Sequence, residues 1–102
     1  MKNTKSFNEK CYYLLSKVPK GQVTTYKILA EALGTKAYRA VGNAMNKNPF
    51  APEIACHRVI NSNGGIGGFA SGIKNKIELL KSEGIEIKNN KIDMDKYIHK
   101  FN

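Results

Sequence analysis

Residues 21–46 read GQVTTYKILAEALGTKAYRAVGNAMN, and this stretch decides the fold. Thr24 or Thr25 is a good N-cap, because a hydroxyl there accepts from the first free amides of a helix. The spacing predicts a helix from Tyr26 to Leu33, stopped at Gly34, and another from about Lys36 to Asn46. Ala37, Ala40, Val41, Ala44 and Met45 form the expected buried stripe of the latter. Arg39, Gly42, Asn43 and Asn46 then fall on or near its other face. Two short helices across a tight Gly-containing turn, the second carrying an Arg and small residues outward, read as a helix-turn-helix. Many helical hairpins share this pattern, so the flanks have to support it.

Working outward, Phe7, Cys11, Leu14, Leu15 and Val18 lie on one face of a helix expected from about residue 5 to 18, which Pro19-Lys20-Gly21 ends. Val23-Thr24 reads as a short extended piece. On the other side Asn48-Pro49 breaks the recognition helix. His57 to Asn61 alternates like a short strand, Asn63-Gly64-Gly65 predicts a hairpin turn, and Ile66 to Phe69 its return. Ile73, Ile77, Leu79, Leu80 and Ile85 suggest a fourth helix ending near Gly84. Ile85 to Ile92 reads as a second small hairpin with an Asn-Asn turn, and a last helical turn lies around Tyr97. The expectation is one α+β domain over residues 1–102, mostly helical and winged-helix-like, with a helix-turn-helix and a short β-hairpin.

Length and composition agree with one small domain of 102 residues. No apolar run approaches the roughly 20 residues of a spanning helix, so no membrane partner is expected. The N-terminus, MKNTKSFNEK, has no apolar stretch behind its lysines and is no secretory signal. Two cysteines are too few for a disulfide scaffold, so a reducing cytoplasm and free thiols are expected. The net charge is +9. Residues 1–50 hold nine basic and two acidic residues, against eight and six in the remainder. One strongly basic half fits a polyanionic partner, most simply nucleic acid. The plainer alternative is compositional, since all the cations but Arg39 and Arg58 are lysines.

The chemistry concentrates in Ile54-Ala55-Cys56-His57-Arg58-Val59-Ile60. A thiolate is the nucleophile, and a neighbouring base or cation must favour it. Adjacent strand residues point to opposite faces, so a bridging water is the expected link between Cys56 and His57. A buried, inert Cys56 is the plainer alternative. One Cys beside one His, with no second pair at ligand spacing, makes no metal site.

These residues resemble the C-terminal domain of the O6-alkylguanine-DNA alkyltransferases, the methylated-DNA–protein-cysteine methyltransferases. The resemblance runs from about residue 7 to 88. It rests on Gly21 to Tyr26 with Leu29-Ala30, Arg39-Ala-Val-Gly42, Asn48-Pro49, Cys56 to Ile60, Gly67-Gly68-Phe69, and Leu79-Leu80 with Glu83-Gly84, in that order. It implies a single-turnover suicide enzyme that repairs DNA by direct damage reversal, without cofactor or metal. Its partner is double-stranded DNA containing O6-alkylguanine, bound by a monomer through the minor groove. The alkyl carbon lies inside the base stack, so the nucleotide must be flipped out.

The resemblance also implies roles. Cys56 attacks the alkyl carbon, leaving a thioether. His57 deprotonates it through a water, and Glu83 orients that His. Tyr26 crowds the target phosphate and helps the departing guanine gain a proton. Arg39 fills the gap left by the flipped base, while Ala40 and Gly42 permit close approach. Asn48 tethers the turn between recognition helix and active-site loop. Phe69 walls the guanine pocket, and the backbones of Val59, Cys56 and Ala70 bond the guanine edge. Each has a plainer alternative: a surface Arg39, a core Tyr26, a solvated Glu83, a turn-forming Asn48. Arg58 reads as structural and Cys11 as core.

Three departures stand out. Ala55 replaces the proline that usually precedes the reactive Cys, loosening the loop. Ala51 and Pro52 shift the loop prolines. The N-terminal domain most members carry is not expected here. One rival reading is an alkyltransferase-like protein that binds lesions and recruits repair factors without chemistry. Such proteins typically replace the reactive Cys, which this chain keeps. A winged-helix transcription regulator would need polar major-groove readers, and the Ala/Gly-rich helix argues against that.

Overall fold

A computed structural model describes residues 6–47, 55–68 and 72–101. Its elements are α1 (Phe7–Leu15), β1 (Thr24–Thr25), α2 (Tyr26–Ala32), α3 (Tyr38–Asn46), a 3-10 turn (Cys56–Arg58), β2 (Val59–Ile60), α4 (Ile73–Ser82), β3 (Ile87–Lys88), β4 (Lys91–Ile92) and α5 (Met94–Tyr97). The expected class, a mixed and mainly helical domain with a helix-turn-helix and a small hairpin, is the one observed.

Helix α1 is shorter than its periodicity suggests because both ends are fixed locally. Ser6 and Glu9 form a capping box, and Ser16 caps the other end. Val18 still joins the core from the turn beyond. Tyr12 is buried too, and its hydroxyl donates to the Ala44 carbonyl at 2.8 Å, tying α1 to α3. Thr25 is the N-cap of α2, its Oγ1 accepting from the Ile28 amide at 2.9 Å. Helix α3 starts at Tyr38 rather than Lys36, because the Thr35 hydroxyl takes the Ala37 amide and holds that segment in a turn. Ala37 is therefore exposed, outside the buried stripe.

The largest correction concerns residues 57–69. Cys56–Arg58 form a 3-10 turn, and only Val59 and Ile60 are extended. They pair in parallel with Thr24 and Thr25, not with a returning strand. The turn at Asn63 exists, with the Asn61 amide on the Gly65 carbonyl at 2.9 Å. Gly67 at φ 77° then leads the chain off, and Gly68 gives its carbonyl to Lys76. Gly65 bridges instead to Lys91. Phe69 lies outside the described residues, as do Ala70 and Asn48.

The β1–β2 pair separates two cores. Val59 faces a cluster of Leu15, Leu29, Val41 and Cys56, whereas Ile60 faces Val23, Ile66, Leu80, Ile92 and Tyr97. In α4 the expected stripe is wrong at one position: Ile73 is 53% exposed, and Lys76 is fully buried in the helix instead. The second hairpin is as expected, with Asn89 and Asn90 at φ 52° and 59°, the pair a tight I′ turn requires. Val23 donates to the Tyr97 carbonyl at 2.9 Å and accepts from His99 at 2.8 Å, pinning the C-terminal segment beside β1.

One polar atom in this sheet goes unused. Thr24 is fully buried, and its Oγ1 has no hydrogen-bond partner among the described residues. Thr24→Val keeps the shape and removes an unpaired hydroxyl, so stability should rise by about 1 kcal/mol. A thermal melt should move up by roughly 4–8 °C for a domain of this size. An unchanged melt would mean that the hydroxyl is satisfied, by a buried water for instance.

Candidate functional site

The 3-10 turn sets Cys56, His57 and Arg58 successively around one tight turn, and each meets a different environment. Cys56 is 8% exposed and packs in the helical core beside Val59. His57 is 3% exposed, and its Nε2 lies 2.8 Å from Glu83 Oε2. Arg58 grips the same carboxylate in two places, Nε to Oε1 at 2.9 Å and Nη2 to Oε2 at 2.7 Å. Its Nη1 donates to the Val18 carbonyl at 2.8 Å. One guanidinium thus joins the end of α1, the 3-10 turn and the end of α4, the structural part expected of Arg58.

Glu83 is the C-cap of α4, and Gly84 turns the chain away at φ 89°. A carboxylate at the negative end of a helix is poorly placed for the helix dipole. What holds it there is the pair of donors opposite. Burial alone pushes the Glu83 carboxyl up. Hydrogen bonds from Arg58 and His57, and the charges of both, outweigh that and hold it below its ordinary 4.5. An ionised carboxylate only accepts, so His57 donates from Nε2–H and keeps the Nδ1 lone pair as the basic site. That arrangement can accept a proton and stabilise the resulting imidazolium.

Tyr26, at the start of α2, links this cluster to the surface. It packs against the core that contains Cys56 and also lines an open groove of about 540 Å³. Lys27, Tyr38, Arg39, Gly42 and the Asn61, Ser62 and Asn63 turn complete the lining. Arg39 is exposed and makes no hydrogen bond or ion pair among the described residues. Burial, then the nearby Cys56, push the Tyr26 phenol up, so it stays protonated at neutral pH.

Of the residues singled out from sequence, Cys56 and Val59 pack in one core, His57 and Glu83 bond each other, and Tyr26, Arg39 and Gly42 share the groove. Ala40 is half-buried on α3 between core and groove. Asn48, Phe69 and Ala70 are not among the described residues. Cys11 is fully buried, and burial pushes its thiol up to about 11, as suits a core residue. Sequence reasoning missed the Asn61–Asn63 turn as a groove wall and Lys76 as a buried cation. The first was visible only as turn chemistry. No groups of three or more His, Cys, Asp or Glu that could hold a metal ion occur among the described residues. No helix among them is long and apolar enough to cross a membrane.

A helix-turn-helix with an open groove at Tyr26, Arg39 and Gly42, and a buried cysteine behind it, defines a winged-helix-like domain. Residues 6–85 match the family model described as 6-O-methylguanine DNA methyltransferase, DNA binding domain, and the chain belongs to that family. A methylated-DNA–protein-cysteine methyltransferase of Metallosphaera sedula is 49% identical over 86 residues, 84% of this chain and 54% of that protein. The chain spans about half the length of such methyltransferase relatives. The structure of Mycobacterium tuberculosis OGT in complex with DNA superposes with a TM-score of 0.74 at 35% identity, over 79% of this chain and 51% of that one. That of S. pombe Atl1, in complex with damaged DNA containing O6-carboxymethylguanine, gives 0.83 at 30% identity over 98% and 100%. Hairpin β3–β4 and α5 lie beyond the segment the family model covers.

Proposed function

We propose that this chain, acting as a single domain, moves the alkyl group of O6-alkylguanine in double-stranded DNA once and irreversibly to Cys56. The observation that carries this is Cys56 retained beside a buried His57 bonded to Glu83 at 2.8 Å, in a chain of this family. The basic half of the chain favours approach to the duplex, and α3 enters the minor groove. Ala40 and Gly42 allow a close approach. The damaged nucleotide flips inward and Arg39 takes its place in the stack. Asn48 tethers the turn behind α3, and Val59, Phe69 and Ala70 bound the guanine.

The thiol of Cys56 gives its proton through a water to Nδ1 of His57, and Glu83 stabilises the imidazolium. Sulfur attacks the alkyl carbon in line. The S–C bond forms as the C–O6 bond breaks, and the electron pair leaves with guanine. Guanine takes a proton donated by the Tyr26 hydroxyl, which solvent then restores. The thioether persists, so each molecule acts once as a monomer, with no cofactor. A free thiol suits a reducing, cytoplasmic setting.

A second reading is a lesion-binding protein without chemistry. The likeness to Atl1 over the whole of that chain favours it. Intact mass after incubation with an O6-methylguanine duplex separates the two. Transfer adds one methyl, about 14 Da, mapped to Cys56 and absent in Cys56→Ala. Tight, lesion-selective binding with no mass gain would establish the second reading and overturn the first.

A further inference from the structure

Helix α3 begins on a tyrosine that the fold does not use. Tyr38 is its first residue and is 40% exposed. Among the described residues its hydroxyl has no hydrogen-bond partner, and its ring meets no other ring or cation. The other exposed tyrosine among them differs in this, since Lys17 Nζ lies 4.8 Å from the centre of the Tyr13 ring.

The placement of Tyr38 is not loose. The Thr35 hydroxyl holds the Ala37 amide at 3.1 Å, and the Tyr38 amide donates to the Lys36 carbonyl at 2.8 Å. A tyrosine has few rotatable bonds, so a fixed backbone there presents a large amphipathic ring at small entropy cost. The side chain borders two hollows. One is the groove shared with Tyr26, Arg39 and Gly42. The other, of about 270 Å³, lies over Glu31, Gly34, Thr35 and Lys36. Cations flank it, with Lys27 and Arg39 in the groove and Lys36 in the second hollow. Cations suit phosphates, which position a protein on a duplex but carry no sequence information. A neutral phenol between them suits the base edges instead.

In the proposed function Arg39 takes the place of the flipped nucleotide, and the present inference rests on that docking. Consecutive Cα atoms lie about 3.8 Å apart, close to the ~3.4 Å rise of a duplex, so the residue beside Arg39 meets the pair beside the lesion. In the minor groove an A·T pair shows only the acceptors N3 and O2, and a phenol can donate to either. A G·C pair adds the N2 amino group of guanine, which stands in the path of a bulky ring. We propose that Tyr38 is a specificity-determining residue, whose ring and hydroxyl read the base pair next to O6-alkylguanine and favour A·T over G·C there.

The test measures binding alone, in a Cys56→Ala background where no alkyl group moves. The duplexes carry O6-methylguanine flanked on both sides by A·T, G·C or I·C pairs. Inosine pairs as guanine does but lacks the amino group. A·T and I·C flanks should bind about fivefold tighter than G·C flanks, the size of one hydrogen bond to a base edge. In Tyr38→Ala the three affinities should converge. Tyr38→Phe keeps the ring, so it should still reject G·C while losing about two- to threefold on A·T. Tyr13→Ala, at an exposed tyrosine outside the groove lining, should keep the full preference. Tyr38 is a surface residue, so its variants should melt close to the parent protein.

Equal affinities for all three flanks in the parent overturn the proposal. So does a preference that persists in Tyr38→Ala, even where that variant loses affinity uniformly, because a uniform loss marks a phosphate or sugar contact. I·C flanks that behave as G·C overturn it too, since the amino group is then not what is read. Gly42→Leu separates these failures from failure of the docking. If Gly42→Leu weakens binding while Tyr38→Ala leaves the preference alone, α3 lies in the groove and only the role of Tyr38 falls. If neither substitution changes binding, the proposed docking falls with it. Absence of methyl transfer in the wild-type protein leaves the result standing, because the readout contains no chemistry.

Discussion

Glu83→Gln is expected to slow methyl transfer to Cys56 by roughly 10²–10⁴-fold at pH 7, the range that general acid–base assistance contributes. The size comes from the proton inventory of the site. The ionised Glu83 accepts three hydrogen bonds, two from Arg58 and one from His57. An amide in its place brings two donors of its own. Where the amide nitrogen takes the Oε2 position, its donors face His57, which must then accept at Nε2 and carry its proton on Nδ1, a tautomer that cannot take a proton from Cys56. Where the amide oxygen takes that position, His57 keeps its tautomer, and the imidazolium still loses its counter-charge. A carboxylate-to-amide change behind the histidine of a Ser–His–Asp triad, which leaves the wrong tautomer, costs about 10⁴. Higher pH should return part of the rate, because solvent base then ionises the thiol. Single-turnover rates by mass across pH check this, and a wild-type rate at pH 7 would remove Glu83 from the chemistry.

The same substitution is costly to the fold. The Glu83 and Arg58 side chains are only 9% and 17% exposed. Breaking a buried pair from one side costs about 3–5 kcal/mol. Arg58 keeps its bond to Val18 and some water contact, so the lower end applies, about 3 kcal/mol. Urea unfolding at pH 7 measures it. The pH dependence has a definite sign. The folded carboxyl is held below the unfolded value, so its stabilisation is complete above about 4.5 and is lost as pH falls through the lower folded value. Glu83→Gln should therefore flatten the acid limb of the stability curve. Transfer must be measured at a temperature where the variant is folded, so that slow chemistry is not confused with unfolding.

Glu83 also shows where sequence reading stops. Locally it is a carboxylate at the wrong end of a helix, and only the resemblance to a family marked it. The compensating donors are contributed 25 and 26 residues earlier, beyond any local window. What was legible is what short-range chemistry decides: the Thr25 cap, the stop at Gly34, the Asn89-Asn90 turn. The parallel β1–β2 pair was not legible. It is two residues long on each side, its partners are far apart in the chain, and parallel pairing leaves no turn between them as a signal. The strand expected from His57 failed similarly, since alternation over so few residues does not distinguish a 3-10 turn from an extended chain. Lys76 and Ile73 were exchanged because polarity stood in for burial. In α4 the charge turns inward to bond two carbonyls, and the isoleucine faces out. The Lys76 breach falls next to the Cys56–Arg58 turn, at the carbonyl of Val59.

Gly42 is a breach of another kind, and substituting it should separate stability from DNA binding. It lies inside α3, where glycine costs about 1 kcal/mol relative to alanine. The fold does not ask for it, since a Cβ placed there meets nothing within 4 Å. The space it leaves opens onto the groove shared with Tyr26 and Arg39. Gly42→Ala should accordingly stabilise the free protein by about 1 kcal/mol, visible as a higher melting temperature. Gly42→Leu should also be stabilising, by slightly less. Against DNA the order reverses. With α3 in the minor groove as proposed, a bulky side chain there overlaps a close backbone approach, and overpacking of that kind costs about 1–3 kcal/mol. Affinity for an O6-methylguanine duplex should then fall by roughly 5- to 150-fold in Gly42→Leu, at roughly tenfold per 1.4 kcal/mol. The salt dependence distinguishes shape from charge. Arg39→Ala, if its guanidinium also meets a phosphate, reduces the salt slope by about one, whereas Gly42→Leu leaves it unchanged. A Gly42→Leu protein that melts higher and binds DNA as well as wild type would mean that α3 does not face the duplex, and the groove would need another ligand.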